Sequence, residues 1–193
     1  MSDAFTDIHR RLSTRSPVRA DLTGRIPAAV AVVLVEGDAG LEMLLIKRSE
    51  REGDPWSGQM ALPGGRREDA DADLLETAMR ETEEETGVVL ASGKLLGELD
   101  DLSPSIVHLP PIMVRPYVFG LEQKPPARAR EEVDLVLWVP LLELDGRLRQ
   151  EDIAVGDYRL RAPGYRLGEH FVWGLTERML TPFLALIGLS PES

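Results

Sequence analysis

Strands before, between and after two main helices predict a mixed α/β domain, and three features of the chain carry that reading. Two runs rich in Val, Ile and Leu, residues 26–35 and 41–47, flank the turn signal EGDAG and read as a β-hairpin. A capped amphipathic pattern over residues 74–86 reads as a helix, and further short β-like runs follow it. Neither an internal repeat nor a second core is visible, so 193 residues form one domain with a short N-terminal appendage.

Taken in order, Phe5, Ile8 and Leu12 recur at helical spacing and predict a short amphipathic helix over 4–14. A loop follows to Arg25, so residues 1–24 read as helix and arm and 25–190 as the main domain. After the hairpin, Glu50 to Asp73 is dense in Gly, Pro, Asp and Arg and is expected to be one long ordered loop. Asp73 and Glu76 have capping-box spacing at the start of the 74–86 helix. Leu75, Ala78, Met79 and Thr82 form its expected inward stripe, and Gly87 stops it. Residues 94–99, 111–119 and 135–139 read as strands, and Leu175 to Ile187 as a last helix that Pro182 kinks or divides.

Composition narrows the function. With 43% hydrophobic and 28% charged residues the chain has enough apolar material for a core. No cysteine is present, which excludes disulfides and thiolate metal sites. The longest apolar run, Ile26 to Val35, is too short to span a bilayer, and the start MSDAFTDIHRRLS has no signal-peptide core. A soluble, cytoplasmic protein without a membrane partner is expected. Thirty-three acids against 22 Lys and Arg leave a net charge of −11, which opposes nucleic-acid binding. The first 25 residues carry five Arg against three Asp, but no interleaved aromatics, and make no RNA-binding arm. Any phosphorylated ligand must be held by something other than the net field.

The segment with chemistry is LPGGRREDADADLLETAMRETEEETGV, residues 62–88. With Glu81 at zero on a helical projection, Glu84 falls near 300° and Glu85 near 40° (each residue advances about 100°), while Glu76, Arg80 and Glu83 point away. Three carboxylates on one arc repel one another, and a hard divalent cation relieves that repulsion, which points to Mg²⁺ or Mn²⁺. Solvated surface is the plainer reading of ETEEET taken alone. A calcium-loop reading of Asp69, Asp71 and Asp73 fails, because Leu74 stands where Gly is needed and Arg80 where Glu is needed. The Pro63-Gly64-Gly65 turn can approach a ligand closely.

Gly65, Arg80-Glu81, Glu84-Glu85 and Gly87 together resemble the box of the Nudix hydrolase family, G-x5-E-x7-R-E-U-x-E-E-x-G-U. Fourteen residues rather than thirteen separate Gly65 from Arg80, and Asp71 stands where the pattern has Glu. The flanking segments LLIKRSEREGDPWSGQMALPGG, LGELDDLSPS and HFVWGLTERML are similar to the coenzyme A pyrophosphatase branch. Leu62 replaces the aromatic usual before Pro-Gly-Gly there, and the arginine expected between Arg48-Ser49 and Gly58 is out of register.

The resemblance implies an α/β/α sandwich with a mixed central sheet. It implies metal ligands at Glu81, Glu84, Glu85 and the Gly64 carbonyl, with Arg80 orienting the carboxylates. The general base stays open between a box glutamate and Glu132 on the loop Glu131-Glu132-Val133, which is favoured. Arg48 and Gln59 are candidate phosphate or nucleotide contacts, and Ser103-Pro104-Ser105 a candidate pocket wall. Trp56 and Trp173 are either adenine platforms or core residues, and His9, His108 and His170 are structural or surface residues. The implied activity is hydrolysis of a nucleoside diphosphate linked to another group, with coenzyme A or an acyl derivative first. ADP-ribose, dinucleoside polyphosphates and nucleoside triphosphates are the alternatives, and a non-catalytic nucleotide-binding module is the rival from another class. A homodimer is left open, since the N-terminal helix and residues 141–172 each suit an interface or a cover for the core.

Overall fold

The structure is a computed structural model, described for residues 2–90, 94–104, 110–130, 132–155 and 158–190. The elements run α1 (Asp3–Ser13), β1 (Ile26–Gly37), β2 (Gly40–Arg48), β3 (Met60–Ala61), β4 (Gly64–Arg66) and α2 (Leu74–Thr86). After them come β5 (Lys94–Glu98), β6 (Ile112–Leu121), β7 (Val133–Pro140), β8 (Leu148–Val155), β9 (Tyr158–Leu167), β10 (His170–Trp173) and α3 (Leu175–Ile187).

β1 organises the main sheet. Along one edge it pairs in parallel with β6, from Ile26↔Ile112 to Val35↔Leu121. Along the other its partner changes: β2 pairs antiparallel at Leu34–Gly37, and β4 at Ala28–Val30. β5 flanks β6, while β2 also pairs with β3 and β7, so the sheet is mixed. Both faces of β1 are covered, which is why residues 26–35 are apolar without alternation. Ala28, Val32 and Leu34 pack with α1, α3 and Tyr165, and Ala29, Ala31, Val33 and Val35 pack with Leu74 and Ala78 of α2. The result is the α/β/α sandwich. Among the described residues no helix is long and apolar enough to cross a membrane.

α1 begins at Ser2, whose hydroxyl accepts from Phe5 N–H, and it buries Phe5, Ile8 and Leu12. Its seat depends on small neighbours. A Cβ on Gly97 would lie 2.7 Å from Leu12 Cβ, and one on Gly120 would lie 3.0 Å from the Phe5 ring. Arg15 pairs with Asp100, and Arg19 with Glu98 and Asp101, so arginines of the basic arm are spent on the domain's own acids. Phe5→Ala is expected to lower the unfolding free energy by about 3–4 kcal/mol, because the ring leaves a cavity between α1 and Gly120. Urea denaturation measures it, and a loss below about 1 kcal/mol would show that α1 docks without supporting the core.

Three features differ from expectation, and one open alternative is resolved. Residues 50–73 are not all loop, because β3 and β4 hydrogen-bond to the sheet there. Two or three residues are too short to leave a periodic pattern. Residues 148–155, 158–167 and 170–173 pair as a separate three-stranded sheet, β8-β9-β10, where no strand was expected. β8, LRQEDIAV, has four polar residues in a row and no buried position, so the apolar alternation that marks a strand is weak. The buried side of α2 runs along Leu74, Thr77, Ala78, Thr82, Glu85 and Thr86, with Leu75 and Met79 only half-buried. Of the two effects expected of Pro182, division of the last helix does not occur, since α3 continues through it as one helix.

Candidate active site

Pro63, Gly64 and Gly65 lie where β1 changes partners. Ala31 N–H donates to Pro63 O at 2.9 Å, which holds the turn against the sheet. Gly64 has φ +150°, and a Cβ there would lie 2.2 Å from the Ala29 carbonyl oxygen, so only glycine fits. On Gly65 a Cβ would lie 2.4 Å from the Glu81 carboxyl carbon. The bare backbone therefore lets the box glutamates close onto the turn.

α2 is set by its ends. Asp73 caps it, accepting from Glu76 N–H at 2.9 Å, and Glu76 reaches back to Ala72 N–H rather than to Asp73. Thr82, at a position where the family pattern is apolar, is fully buried and returns its hydroxyl to the Ala78 carbonyl at 2.7 Å. Gly87 closes the helix in the left-handed region. The loop after β6 then donates Arg130 N–H to the Glu85 carbonyl and Arg128 N–H to the Thr86 carbonyl. Those two bonds satisfy the helix end and bring the Glu132 side of the loop beside it.

Glu85 turns inward. Its side chain is 5% exposed, accepts from Gly64 N–H at 2.9 Å and has Arg48 Nη1 at 3.9 Å. Burial pushes its carboxyl up to about 8 against the pull of the Gly64 bond. Burial also raises Glu81, which Arg80 partly offsets. Glu84 faces solvent, 58% exposed.

Arg80 links them, although its Cα lies off the glutamate arc. Its guanidinium comes back across the helix, with Nη1 at 3.0 Å from Glu81 Oε1 and 2.9 Å from Glu84 Oε2. Nε and Nη2 form a fork onto the buried Asp71 at 2.9 and 3.0 Å, and Nη2 also donates to Arg66 O. Asp71 accepts from Thr77 Oγ1 and Glu68 N–H as well, and the Arg80 guanidinium holds its carboxyl well below the usual range. The loop between β4 and α2 closes on itself through Asp71 N–H to Glu68 O at 3.1 Å.

Arg48, Gln59, Gly64, Arg80, Glu81, Glu84, Glu85 and Glu132 all border one cleft of about 720 Å³. Its floor includes Ile112, Val114 and Met179. Glu132 is exposed and accepts from Arg51 Nη1 at 2.7 Å. Arg48 donates to Asp54 at 2.9 Å, while its Nε is buried with no hydrogen-bond partner among the described residues. Gln59 donates to Pro55 O, and Trp56 is half-buried against the core at the cleft edge. Trp173 borders a different cleft. His9 donates its Nδ1–H to the Leu96 carbonyl at 2.7 Å, a structural role. Ser105, His108 and Glu131 lie outside the described residues. Asp54 and Arg51 join the site without having been singled out in the sequence, since nothing in their spacing ties them to the box.

Oxygen donors alone at Glu81, Glu84, Glu85 and the glycine turn suit a hard cation. Two carboxyls raised by burial are a donor set in need of positive charge. Among the described residues, however, no three acidic or histidine side chains already converge on an ion position. The geometry gives the reason: Arg80 Nη1 sits between Glu81 and Glu84, and Glu85 is turned to Gly64.

A NUDIX domain model matches residues 25–159. An Arabidopsis thaliana protein, Nudix hydrolase 15, mitochondrial, is 35% identical over 164 residues, 79% of this chain and 55% of that protein, so the chain spans about half its length. The human mitochondrial coenzyme A diphosphatase NUDT8 is 33% identical over 171 residues, 85% of this chain and 70% of that protein. The crystal structure of a NUDIX hydrolase from Alicyclobacillus acidocaldarius superposes with TM-score 0.61 at 18% identity, covering 88% of this chain and 93% of that one.

Proposed function

The chain belongs to the Nudix family, and from that premise we propose that it is a pyrophosphohydrolase dependent on Mg²⁺ or Mn²⁺, acting on coenzyme A or its acyl derivatives. The observation that carries the chemistry is the single cleft bordered by Arg48, Arg80, Glu81, Glu84, Glu85 and Glu132. The observation that favours coenzyme A is the likeness to the human coenzyme A diphosphatase over 85% of the chain. Water adds to one phosphorus of the diphosphate, the bridging P–O bond breaks, and the products are phosphopantetheine and adenosine 3′,5′-bisphosphate.

Glu81, Glu84, Glu85 and the Gly64 carbonyl would hold the metal. Bound Mg²⁺ or Mn²⁺ supplies charge neutralisation at the phosphate oxygens and acidifies a water. Arg48, whose Nε makes no hydrogen bond among the described residues, lines the cleft with Gln59 and takes a phosphate oxygen through its guanidinium. Arg80 fixes the spacing of Glu81 and Glu84 through its anchor on Asp71. Glu132 takes the proton of the attacking water, and Arg51 holds it at the cleft edge.

The test is a parallel panel of coenzyme A, ADP-ribose, a dinucleoside polyphosphate and nucleoside triphosphates with Mg²⁺ or Mn²⁺, products being separated by chromatography. Coenzyme A should be hydrolysed fastest of the panel, with adenosine 3′,5′-bisphosphate as the product that it alone can yield, and absence of that product removes the substrate assignment. Turnover of nothing, with nucleotide binding retained, is the outcome expected of a non-catalytic module. Glu84→Gln should lower kcat roughly a hundredfold or more while leaving the melting temperature in place, because Glu84 faces solvent and supports no core contact. Unchanged turnover in that variant counts against the metal assignment.

A further inference from the structure

We propose that a second cleft beside the first receives the 3′-phosphorylated adenosine of the substrate, with Lys47 as its phosphate contact and Trp173 as its base platform. The inference rests on the coenzyme A reading. The cleft has a volume of about 890 Å³ and adjoins the first along the shared segment Asp54, Pro55, Gln59 and Met60. A diphosphate ester has two ends, and groups bound on either side of the scissile bond need such adjoining space.

The chemistry of the second cleft selects the end. Lys47 is half-buried at its edge, and among the described residues no carboxylate pairs with its ammonium. The two acids among the described residues that line this cleft are otherwise placed: Asp54 accepts from Arg48 and from Trp56 N–H, and the Glu169 side chain is 88% exposed, with His170 Nε2 at 3.9 Å. A partly desolvated cation without an anion gains most from a phosphate. His170 offers a second polar contact in the same wall. Phe171 is stacked by Arg166, at 5.0 Å from the ring centroid, and half-buried Trp173 is the other large aromatic side chain lining the cleft, the one assigned to the purine. The pantetheine arm has no anion, and it would leave Lys47 without a partner.

Calorimetric titration of the full chain in Mg²⁺ with adenosine 3′,5′-bisphosphate and with 5′-AMP reads the 3′-phosphate contact without turnover. Wild type should bind the bisphosphate roughly tenfold more tightly. Lys47→Met should bring that ratio close to one, Lys47→Arg should retain most of it, and thermal melting checks that each variant folds. Equal affinities in wild type overturn the proposal, and so does a ratio that survives in Lys47→Met. Failure of the coenzyme A reading shows separately, as absence of coenzyme A turnover by wild type beside turnover of another substrate in the panel.

Discussion

Asp71→Asn should cost about 3 kcal/mol of stability at neutral pH and lower turnover as well. Asp71 is buried, and Arg80 forks onto both of its oxygens while Thr77 and Glu68 N–H complete the shell. Asparagine keeps the shape but removes the charge, and it turns an N–H toward donors. The estimate sits at the low end for a broken buried pair because Arg80 is 21% exposed and keeps Glu81 and Glu84. The sign with pH follows from the lowered carboxyl. Its stabilisation is complete above the unfolded carboxyl value, near 3.8, and is lost as pH falls toward the folded value below it. The gap between wild type and variant, measured by urea denaturation, should therefore be widest at neutral pH and narrow below about pH 3. A gap independent of pH would mean that the side chain acts by shape alone. Turnover should fall because Arg80, no longer anchored, stops setting the distance between Glu81 and Glu84. Asp71→Glu, which restores the charge, should recover more of kcat than of stability.

That prediction draws on geometry the sequence shows only in part. Both ends of α2 were readable, because Asp73, Glu76 and Gly87 act locally and their spacing is a helix property. The hairpin of β1 and β2 was readable for the same reason. Helical projection put Glu81, Glu84 and Glu85 on one arc, yet it could not separate their fates. Glu85 meets Gly64 only because β4 pairs with β1, and that contact spans 21 residues of chain. Projection also sends Arg80 outward, since it follows the Cα and not a long side chain free to return. The contacts of Arg48 with Asp54 and of Arg51 with Glu132 lie in or across loops, where no periodicity constrains the pairing. The three-stranded sheet was missed through its weak apolar pattern, although Gly168, with φ +56°, and Glu169 form a tight turn between β9 and β10.

Glu85→Gln should cut turnover by about a thousandfold and, without metal, make the protein more stable, and the two effects have one cause. A carboxyl 5% exposed and raised to about 8 resists ionisation in the fold, whereas the unfolded chain ionises near 4.5. As pH rises from about 4.5 to about 8 the unfolded state gains ionisation free energy that the folded state lacks, so native stability falls across that window. Glutamine is neutral throughout and still accepts the Gly64 N–H through its carbonyl. In a chelator, wild type should melt lower at pH 8 than at pH 5, and Glu85→Gln should flatten that slope and gain on the order of 2 kcal/mol at the alkaline end. Millimolar Mg²⁺ should raise the wild-type melting temperature most at pH 8 and leave the variant nearly unmoved, because a cation returns to Glu85 the charge that burial withholds. kcat should drop about a thousandfold, as for loss of a group that stabilises developing charge. If Glu85→Gln proves less stable than wild type at pH 8 in chelator, the buried carboxyl is held by contacts other than Gly64 and Arg48, and it is no strained ligand waiting for a cation.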